Sequence, residues 1–254
     1  MLTPMPTMPS LSAVETTTTL QQIHLLSGGA AQGLVTQLQS RFLVNYQCNI
    51  AGSYGAVGMM KDSLLAGTPC DVIILTEALI AQLMASGHLV PGSAQTLGVV
   101  KTGVAVKSGD KAPDVSSPAA LKTALQAARG IYFPDPIKAT AGIHVMHVLK
   151  QLGLDVELAD RLRPFPNGAA AMKAMAQTNE TGLLGCTQIT EILFASGVEL
   201  VAALPKEFAL ATVYTAASCA GSTQRNSTLA QALIEMMVST EAAALRLACG
   251  FEAE

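Results

Sequence analysis

Short apolar runs alternate with longer stretches of helical period in the first part of the chain. Strands and helices are predicted in turn at 24–26 and 32–42, at 48–51 and 56–65, and at 70–75 and 77–85. Glycine and proline in Ala66-Gly67-Thr68-Pro69 are typical of a helix end and separate the second helix from the third strand. The pattern therefore predicts an α/β fold with parallel strands and crossover helices.

The same pattern restarts after a change of composition. Residues 98–106 alternate as a strand, and the polar segment 107–113 then indicates a crossing into a second lobe. Further strands are predicted at 130–133, 163–165, 182–186, 198–204 and 211–217, and helices at 117–128, 140–152, 170–177, from 187, and at 227–247. We therefore predict a disordered segment 1–20, a first lobe of 21–97 with 217–254, and a second lobe of 98–216.

Small residues fill the turns between strands and helices. The first strand leads into Ser27-Gly28-Gly29, the second into Gly52-Ser53-Tyr54-Gly55, and a third turn leads into Thr140-Ala141-Gly142, where Thr140 is predicted to cap a helix. The first amides of a helix have no intrahelical partner, and the positive end of the helix dipole lies beside them. Such turns favour a negative ligand, and we expect several of them to share one.

Composition narrows the classes of ligand and partner. The chain has 254 residues, a net charge of −3 and 13% charged residues, which argues against a nucleic-acid interface. Its apolar runs are shorter than the roughly 20 residues that a membrane-spanning helix requires. The sequence has neither the dinucleotide-binding glycine pattern nor histidines and cysteines at metal-ligand spacing. We therefore expect no nucleic acid, no membrane span, no metal and no cofactor.

The cysteines and the N-terminus bear on location. Five cysteines lie far apart without a CxxC pair, at Cys48, Cys70, Cys186, Cys219 and Cys249. This usage predicts reduced thiols that are mostly buried. Residues 1–20 lack the basic and apolar regions of a signal peptide. As written, the chain is therefore expected in the cytoplasm, and a periplasmic location would follow if a signal peptide had been removed.

The order of these motifs resembles the molybdate-binding class of bacterial solute-binding proteins over about residues 24–251. The resemblance rests on Ser27-Gly28-Gly29-Ala30, Gly52-Ser53-Tyr54-Gly55-Ala56, the segment 66–72, Asp135-Pro136 and Ala141-Gly142-Ile143. It implies the type 2 periplasmic-binding-protein fold, with two α/β lobes, two hinge strands and an anion held in the cleft between them. It also implies an ABC permease as partner if the chain is exported.

The departures from that class concern the ligand. Molybdate binders have a tyrosine near the position of Thr187 or Gln188, and the segments 188–193 and 197–201 are more similar to a branch of uncertain ligand. The resemblance thus implies a small carboxylate or oxyanion rather than molybdate in particular. The implied ligand-binding residues are Ser27, Gly28, Gly29, Ser53, Tyr54, Thr140, Ala141, Gly142, Gly168 and Gln188.

An isomerase is the alternative function, because aconitate isomerase resembles the same class. An isomerase converting cis- to trans-aconitate needs a group that removes an allylic proton and returns it at the far carbon. The candidates are His144, Tyr54 and Asp135. Each also has a structural interpretation, as a half-buried helix histidine, an aromatic residue of the cleft wall and a turn or capping residue respectively.

Overall fold

The computed structural model describes residues 20–253, so the predicted disordered segment 1–20 lies outside the described residues except for Leu20. The strands are β1 Gln21–Gly28, β2 Cys48–Gly55, β3 Val72–Thr76, β4 Gln95–Lys107, β5 Gly130–Pro134, β6 Leu162–Phe165, β7 Leu183–Gln188, β8 Val198–Ala203 and β9 Ala211–Ser218. The α-helices are α1 Gln32–Tyr46, α2 Val57–Leu65, α3 Glu77–Ala85, α4 Pro118–Ala127, α5 Thr140–Leu152, α6 Gly168–Gln177, α7 Ile189–Phe194, α8 Gln224–Val238 and α9 Ala243–Ala248. The α/β class predicted from the sequence is confirmed.

The strands form one mixed sheet that serves two separate cores. The sheet order is β2-β1-β3-β9-β4-β7-β5-β6, and β8 pairs with β4 beside this path. β1 is parallel to β2 and β3, and β5 is parallel to β6 and β7, whereas β4 and β9 run antiparallel to their neighbours. One core includes Ile23, Ile73 and Leu233, and a second includes Val104, Ile131 and Val148. The chain is therefore built as two lobes.

Strand β4 passes through both lobes. Its residues Gln95–Lys101 pair with β9, and from Thr102 onward it pairs with β7 and β8 instead. β9 brings the chain back and pairs with β3 in the first lobe. We use first lobe for the part built on β1 to β3 and β9, and second lobe for the part built on β5 to β8. The predicted boundaries at 97/98 and 216/217 fall inside β4 and β9, and the exact division stays a prediction.

Two elements differ from the predictions in ways that affect the site. β2 continues to Gly55, so Ser53 and Tyr54 lie in a strand rather than in the turn before α2. The predicted last helix, 227–247, is interrupted after Val238, where the Ser239 side chain accepts a hydrogen bond from the Ala242 amide and begins a short 3-10 turn. Within residues 20–253, no helix has the length and apolar character needed to cross a membrane.

Candidate functional site

Helix N-termini from both lobes surround one small cavity. The first lobe contributes Gly29, before α1, and Gly55, Ala56 and Val57 at the start of α2. The lining from the second lobe and β9 is Pro134, Ala139, Thr140, Ala141, Asn167, Gly168, Gln188, Glu191 and Tyr214. The cavity encloses about 20 Å³, roughly the space that one water molecule occupies. A small ligand would therefore enter only when the lobes move apart.

The helices around the cavity differ in what satisfies their first amides. At α6, the Asn167 side chain accepts a hydrogen bond from the Ala170 amide at 2.8 Å. The N-termini of α2 and α5 have no side-chain cap, and they start from Ala56 and Ala139 in the cavity lining. The prediction that Thr140 caps α5 is therefore wrong. Thr140 is already the first helical residue, and the cap position belongs to an alanine that cannot accept a hydrogen bond.

Glu191 brings a buried carboxyl group into this cavity. Its side chain is 5% exposed, and Oε2 accepts a hydrogen bond of 2.5 Å from the Thr187 hydroxyl. Burial raises the pKa of Glu191, and hydrogen bonds from Thr187 and from the backbone amides of Ala169, Gly168 and Gln188 offset this only in part. Glu191 thus occupies the anion-binding end of α6 with a pKa above its ordinary value.

Two glycines allow the Glu191 carboxyl group to lie where it does. A Cβ atom on Gly168 would collide with Glu191 Oε2 and with the Thr187 hydroxyl. A Cβ atom on Gly29, across the cleft, would collide with Glu191 Oε1. The carboxyl group is therefore in close contact with the backbone of both lobes, and any larger residue at either glycine would displace it.

Tyr214 and Gln188 complete the wall beside Glu191. Tyr214 lies on β9 and is buried, and burial together with the nearby Glu191 raises the pKa of its hydroxyl, while a hydrogen bond from Gln188 opposes this effect. Gln188 is 3% exposed, and its Oε1 atom has no hydrogen-bond partner among the described residues. A buried acceptor without a partner costs free energy, so a ligand or water that donates a hydrogen bond there would be favoured.

The cavity lining includes half of the residues that the sequence predicted for ligand binding. Those in the lining are Gly29, Thr140, Ala141, Gly168 and Gln188. Ser27 is fully buried and its hydroxyl donates to the Gly28 carbonyl oxygen at 2.8 Å, while Gly28 itself packs against Val57 and Tyr214. These two residues lie behind the cavity lining rather than in it.

Three more of the predicted binding residues lie away from the cavity lining. Ser53 is exposed on β2, and the Tyr54 ring folds back over Gly52 on the same strand, where burial raises its pKa to about 12. Gly142 packs tightly against the backbone carbonyl oxygens of Pro134 and Asp135. The second turn therefore reaches the cavity through Gly55, Ala56 and Val57 instead of Ser53 and Tyr54.

The predicted proton-transfer candidates are occupied elsewhere. His144 Nε2 donates to the Phe208 carbonyl oxygen at 2.8 Å. Asp135 Oδ1 accepts hydrogen bonds from the amides of Ile137 and Lys138, at 2.7 and 2.8 Å. This agrees with the structural interpretation of Asp135 as a turn or capping residue. Neither residue, nor Tyr54, belongs to the cavity lining. Among the described residues, the side-chain carboxyl group that lines the cavity is that of Glu191.

Comparison with known families agrees with this architecture. The model of the family described as bacterial extracellular solute-binding protein matches residues 23–252. The chain belongs to this family. Aconitate isomerase from a Pseudomonas species is 26% identical to this solute-binding protein over 244 residues, which are 92% of this chain and 87% of that enzyme. The resemblance that the sequence motifs indicated is confirmed at the level of the family.

Solved structures share the fold of this solute-binding protein. The periplasmic molybdate-binding protein of Azotobacter vinelandii superposes with a TM-score of 0.76 at 20% identity, covering 91% of this chain and 99% of that one. PEB3 with bound L-phospholactate gives a TM-score of 0.65 at 11% identity, covering 91% of this chain and all (100%) of the other. These matches confirm the two-lobed periplasmic-binding-protein fold.

Contacts between the lobes close the cleft beside α2 and α5. The Gly58 amide of α2 donates to the Lys138 carbonyl oxygen at 3.3 Å, and Lys138 Nζ lies 2.9 Å from Asp62 Oδ2. A hydrogen bond and the charge of Lys138 hold the pKa of Asp62 below its ordinary value. Both side chains of this ion pair are about half exposed, at 48% and 55%. The pair therefore joins the lobes at the surface, away from the cavity.

Removing this ion pair is expected to favour the open form. In Asp62→Asn, the ratio of open to closed protein should rise by at most about fivefold, the range of an exposed ion pair. Small-angle scattering at low salt would show this as a larger radius of gyration. Glu252→Gln is a matched control, because the 2.7 Å Lys101–Glu252 pair joins the C-terminal segment to the part of β4 that pairs with β9, and not α2 to the segment before α5. Equal radii in Asp62→Asn and its parent would contradict the assignment.

Sequence reasoning missed Glu191 and Tyr214 as site residues of this solute-binding protein. Glu191 is the third residue of α7, the helix that follows the buried strand β7. An acidic residue in the first turn after a buried strand was therefore a usable signal. Tyr214 gave a weaker signal, since its place on a returning strand does not show which side of the sheet it faces.

Proposed function

We propose that the cleft binds a small polycarboxylate. The observation that carries this proposal is that the uncapped N-termini of α2 and α5 meet the same cavity from opposite lobes. Helix N-termini bind carboxylate and oxyanion groups through free amides and the helix dipole. Two such ends on opposite walls suit a ligand with more than one negative group, and binding would draw the lobes together.

Glu191 and Gln188 support a carboxylate over a fully ionised oxyanion such as molybdate. A protonated Glu191 can donate a hydrogen bond to a ligand carboxylate, whereas an ionised one repels any anion beside it. Gln188 Oε1 lacks a partner and accepts only from a group that carries hydrogen. Citrate brings a hydroxyl group to this acceptor, and aconitate brings a hydrogen while one of its carboxyl groups is protonated, whereas molybdate or sulfate at neutral pH brings none.

A thermal-shift panel tests this proposal directly. We expect cis-aconitate, trans-aconitate or citrate to raise the melting temperature, with shifts that grow as the pH falls, because the raised pKa of Glu191 favours its protonated form. At a hundredfold excess over Kd, mass action adds about 2.7 kcal/mol to the free energy of unfolding. Succinate, sulfate and molybdate are the comparison ligands. A shift with molybdate or sulfate and none with any carboxylate would overturn the proposal.

Isomerisation of an unsaturated polycarboxylate is a second candidate function, favoured by Glu191. In the proposed step, ionised Glu191 takes a proton from the allylic methylene group, and the C–H electron pair spreads into the conjugated carboxylate. The same carboxyl group then returns the proton to the far carbon, which shifts the double bond. Amides at the N-termini of α2 and α5 would stabilise the charge on the intermediate. The aconitate isomerase relative supports this candidate.

Turnover of cis-aconitate separates an isomerase from a binder. An isomerase should form trans-aconitate and, in D₂O, place deuterium at the carbon that receives the proton. If concentrated protein binds cis-aconitate in the thermal-shift panel but gives no trans isomer above background, the binding function stands and the isomerase is excluded.

The location of the protein and its need for a transport partner depend on whether it is a binding protein or an isomerase. The family description is of extracellular proteins, which supports a periplasmic location with an ABC permease as partner for a binder. An enzyme would need no permease. Fractionation of cells that express the full gene tests the location, and the cytoplasmic location expected from the sequence would be contradicted by recovery in the periplasm.

A further inference from the structure

We propose that Cys70 and Cys219 form a disulfide-bonding pair, a covalent modification site outside the ligand cleft. The two sulfur atoms lie 3.3 Å apart, with the Cys219 thiol donating a hydrogen bond to Cys70 Sγ. The residues are 149 positions apart in sequence, so this contact is made by the fold and not by local chain geometry.

The backbone holds the two cysteines in this position. β3 and β9 pair antiparallel with Val72 opposite Ser218, and the Cys219 amide continues the ladder by donating to the Asp71 carbonyl oxygen at 3.0 Å. Cys70 is the residue immediately before Asp71. Both cysteines therefore sit at the same end of two paired strands, and their sulfur atoms, 3.3 Å apart, need to approach by little more than about 1 Å to reach the length of a disulfide bond.

The other cysteines lack such an arrangement. The Cys48 thiol donates to the Asn49 carbonyl oxygen, and Cys186 is buried in the core of the second lobe. Among the cysteines of residues 20–253, only Cys70 and Cys219 form a hydrogen bond between their thiols. The pKa is raised for Cys186 by burial, and for Cys219 by its hydrogen bond with Cys70 and by burial, so the contact between the two thiols and not the pKa distinguishes the pair.

The oxidation step needs a low-molecular-weight disulfide as oxidant. Cys70 is half-buried whereas Cys219 is 3% exposed, so Cys70 is the thiol that an oxidant reaches. The Cys70 thiolate attacks the oxidant, forms a mixed disulfide and releases one thiol. Cys219 then loses its proton and attacks the Cys70 sulfur, which releases the second thiol. The protein loses two protons and two electrons, and the oxidant is reduced to two thiols.

The bond would link the start of β3 to the end of β9. The loop that it closes contains the whole second lobe and most of the cavity lining, so the bond restricts the unfolded chain strongly. We expect the melting temperature to rise by roughly 5–10 °C. Neither cysteine lines the cavity, so ligand binding at the cleft should be unchanged. An oxidising compartment such as the periplasm would keep the bond formed.

Peptide mapping of the full chain tests the pair. The native protein would be incubated with oxidised glutathione, alkylated and digested with trypsin. Because cleavage follows Lys61, Lys101, Lys206 and Arg225, the expected product is a cross-link between peptides 62–101 and 207–225 that disappears on reduction. Free thiols in the unfolded, alkylated protein should fall from five to three.

Serine variants distinguish the pair from chance oxidation. Cys70→Ser and Cys219→Ser should each abolish the cross-link and the rise in melting temperature, while Cys249→Ser should keep both. If Cys219→Ser fails to fold because Cys219 is buried, the result with Cys70→Ser alone tests the pair. A cross-link between other peptides, a stable glutathione adduct on Cys70, or five free thiols after treatment would overturn the proposal. None of these results depends on which ligand the cleft takes.

Discussion

Replacing Glu191 with glutamine is expected to make the protein less sensitive to rising pH, and more stable than its parent at high pH, while removing any isomerase activity. Glutamine keeps the shape of the side chain and one acceptor for the Thr187 hydroxyl, but it carries no charge into the buried site. The loss of a general base typically lowers a rate by 10² to 10⁴-fold, so turnover should fall by at least about a hundredfold. Gain of stability with loss of activity is the pattern expected of a functional residue.

The direction of the pH effect follows from the raised pKa. Between the ordinary glutamate value of 4.5 and the higher pKa of folded Glu191, the folded state binds more protons than the unfolded state. The parent protein therefore loses stability as pH rises through this window, by at most about 1.4 kcal/mol per pH unit. Below pH 4.5 this stability is fully present, and the variant should then have no advantage.

Melting temperatures of both proteins from pH 4 to pH 8.5 measure this difference. The Glu191→Gln curve should cross the parent curve and lie above it at high pH. Glu199→Gln is the matched control, because Glu199 is exposed on β8 and the same substitution there should leave the pH profile unchanged. A parallel pair of curves for Glu191→Gln and its parent would show that the buried carboxyl group does not titrate in this range.

Gly168→Ala is expected to destabilise the protein and to weaken ligand binding by more than tenfold. The new Cβ atom would collide with the Glu191 carboxyl group and the Thr187 hydroxyl, so the carboxyl group has to move from the amides of α6 into the cavity that the ligand would occupy. Overpacking of this kind costs about 1–3 kcal/mol. Differential scanning calorimetry and the ligand titration would measure the two effects.

Gly221→Ala provides the control for Gly168→Ala. A Cβ atom on Gly221 would meet nothing within 4 Å, so its melting temperature and binding should match those of the parent. If Gly168→Ala also matched the parent in both measurements, Glu191 would not be held where the structure places it.

Strand and helix periodicity carried the fold prediction because both depend on local spacing. The recurring small-residue turns predicted helix N-termini at the cleft, and Gly29, Ala141 and Gly168 lie in the cavity lining. The prediction that Ser53 and Tyr54 lie in the turn after β2 was wrong, because a change from apolar to polar residues does not show where a strand ends. Hydrogen bonding with β1 extends β2 through Tyr54 to Gly55.

The candidate proton-transfer residues show a further limit of sequence reasoning. His144 and Asp135 lie close in sequence to the start of α5, but their side chains bond to the backbone of Phe208 and of Ile137 and Lys138. Sequence proximity to a helix start does not determine which way a side chain points. The place of Glu191 in the first turn of a helix was a signal in the sequence, but its presence at the cavity depends on α6 and α7 lying side by side.

The position of Glu191 gives the closed protein an internal competitor for its ligand. The carboxyl group occupies amides that an incoming carboxylate could otherwise use, so each binding event has to displace it or share its proton. The apparent affinity for the ligand is therefore lower when fewer molecules have these amides free. A tightly held Glu191 would make the protein respond to ligand only at higher concentrations, which suits an enzyme more than a scavenging receptor.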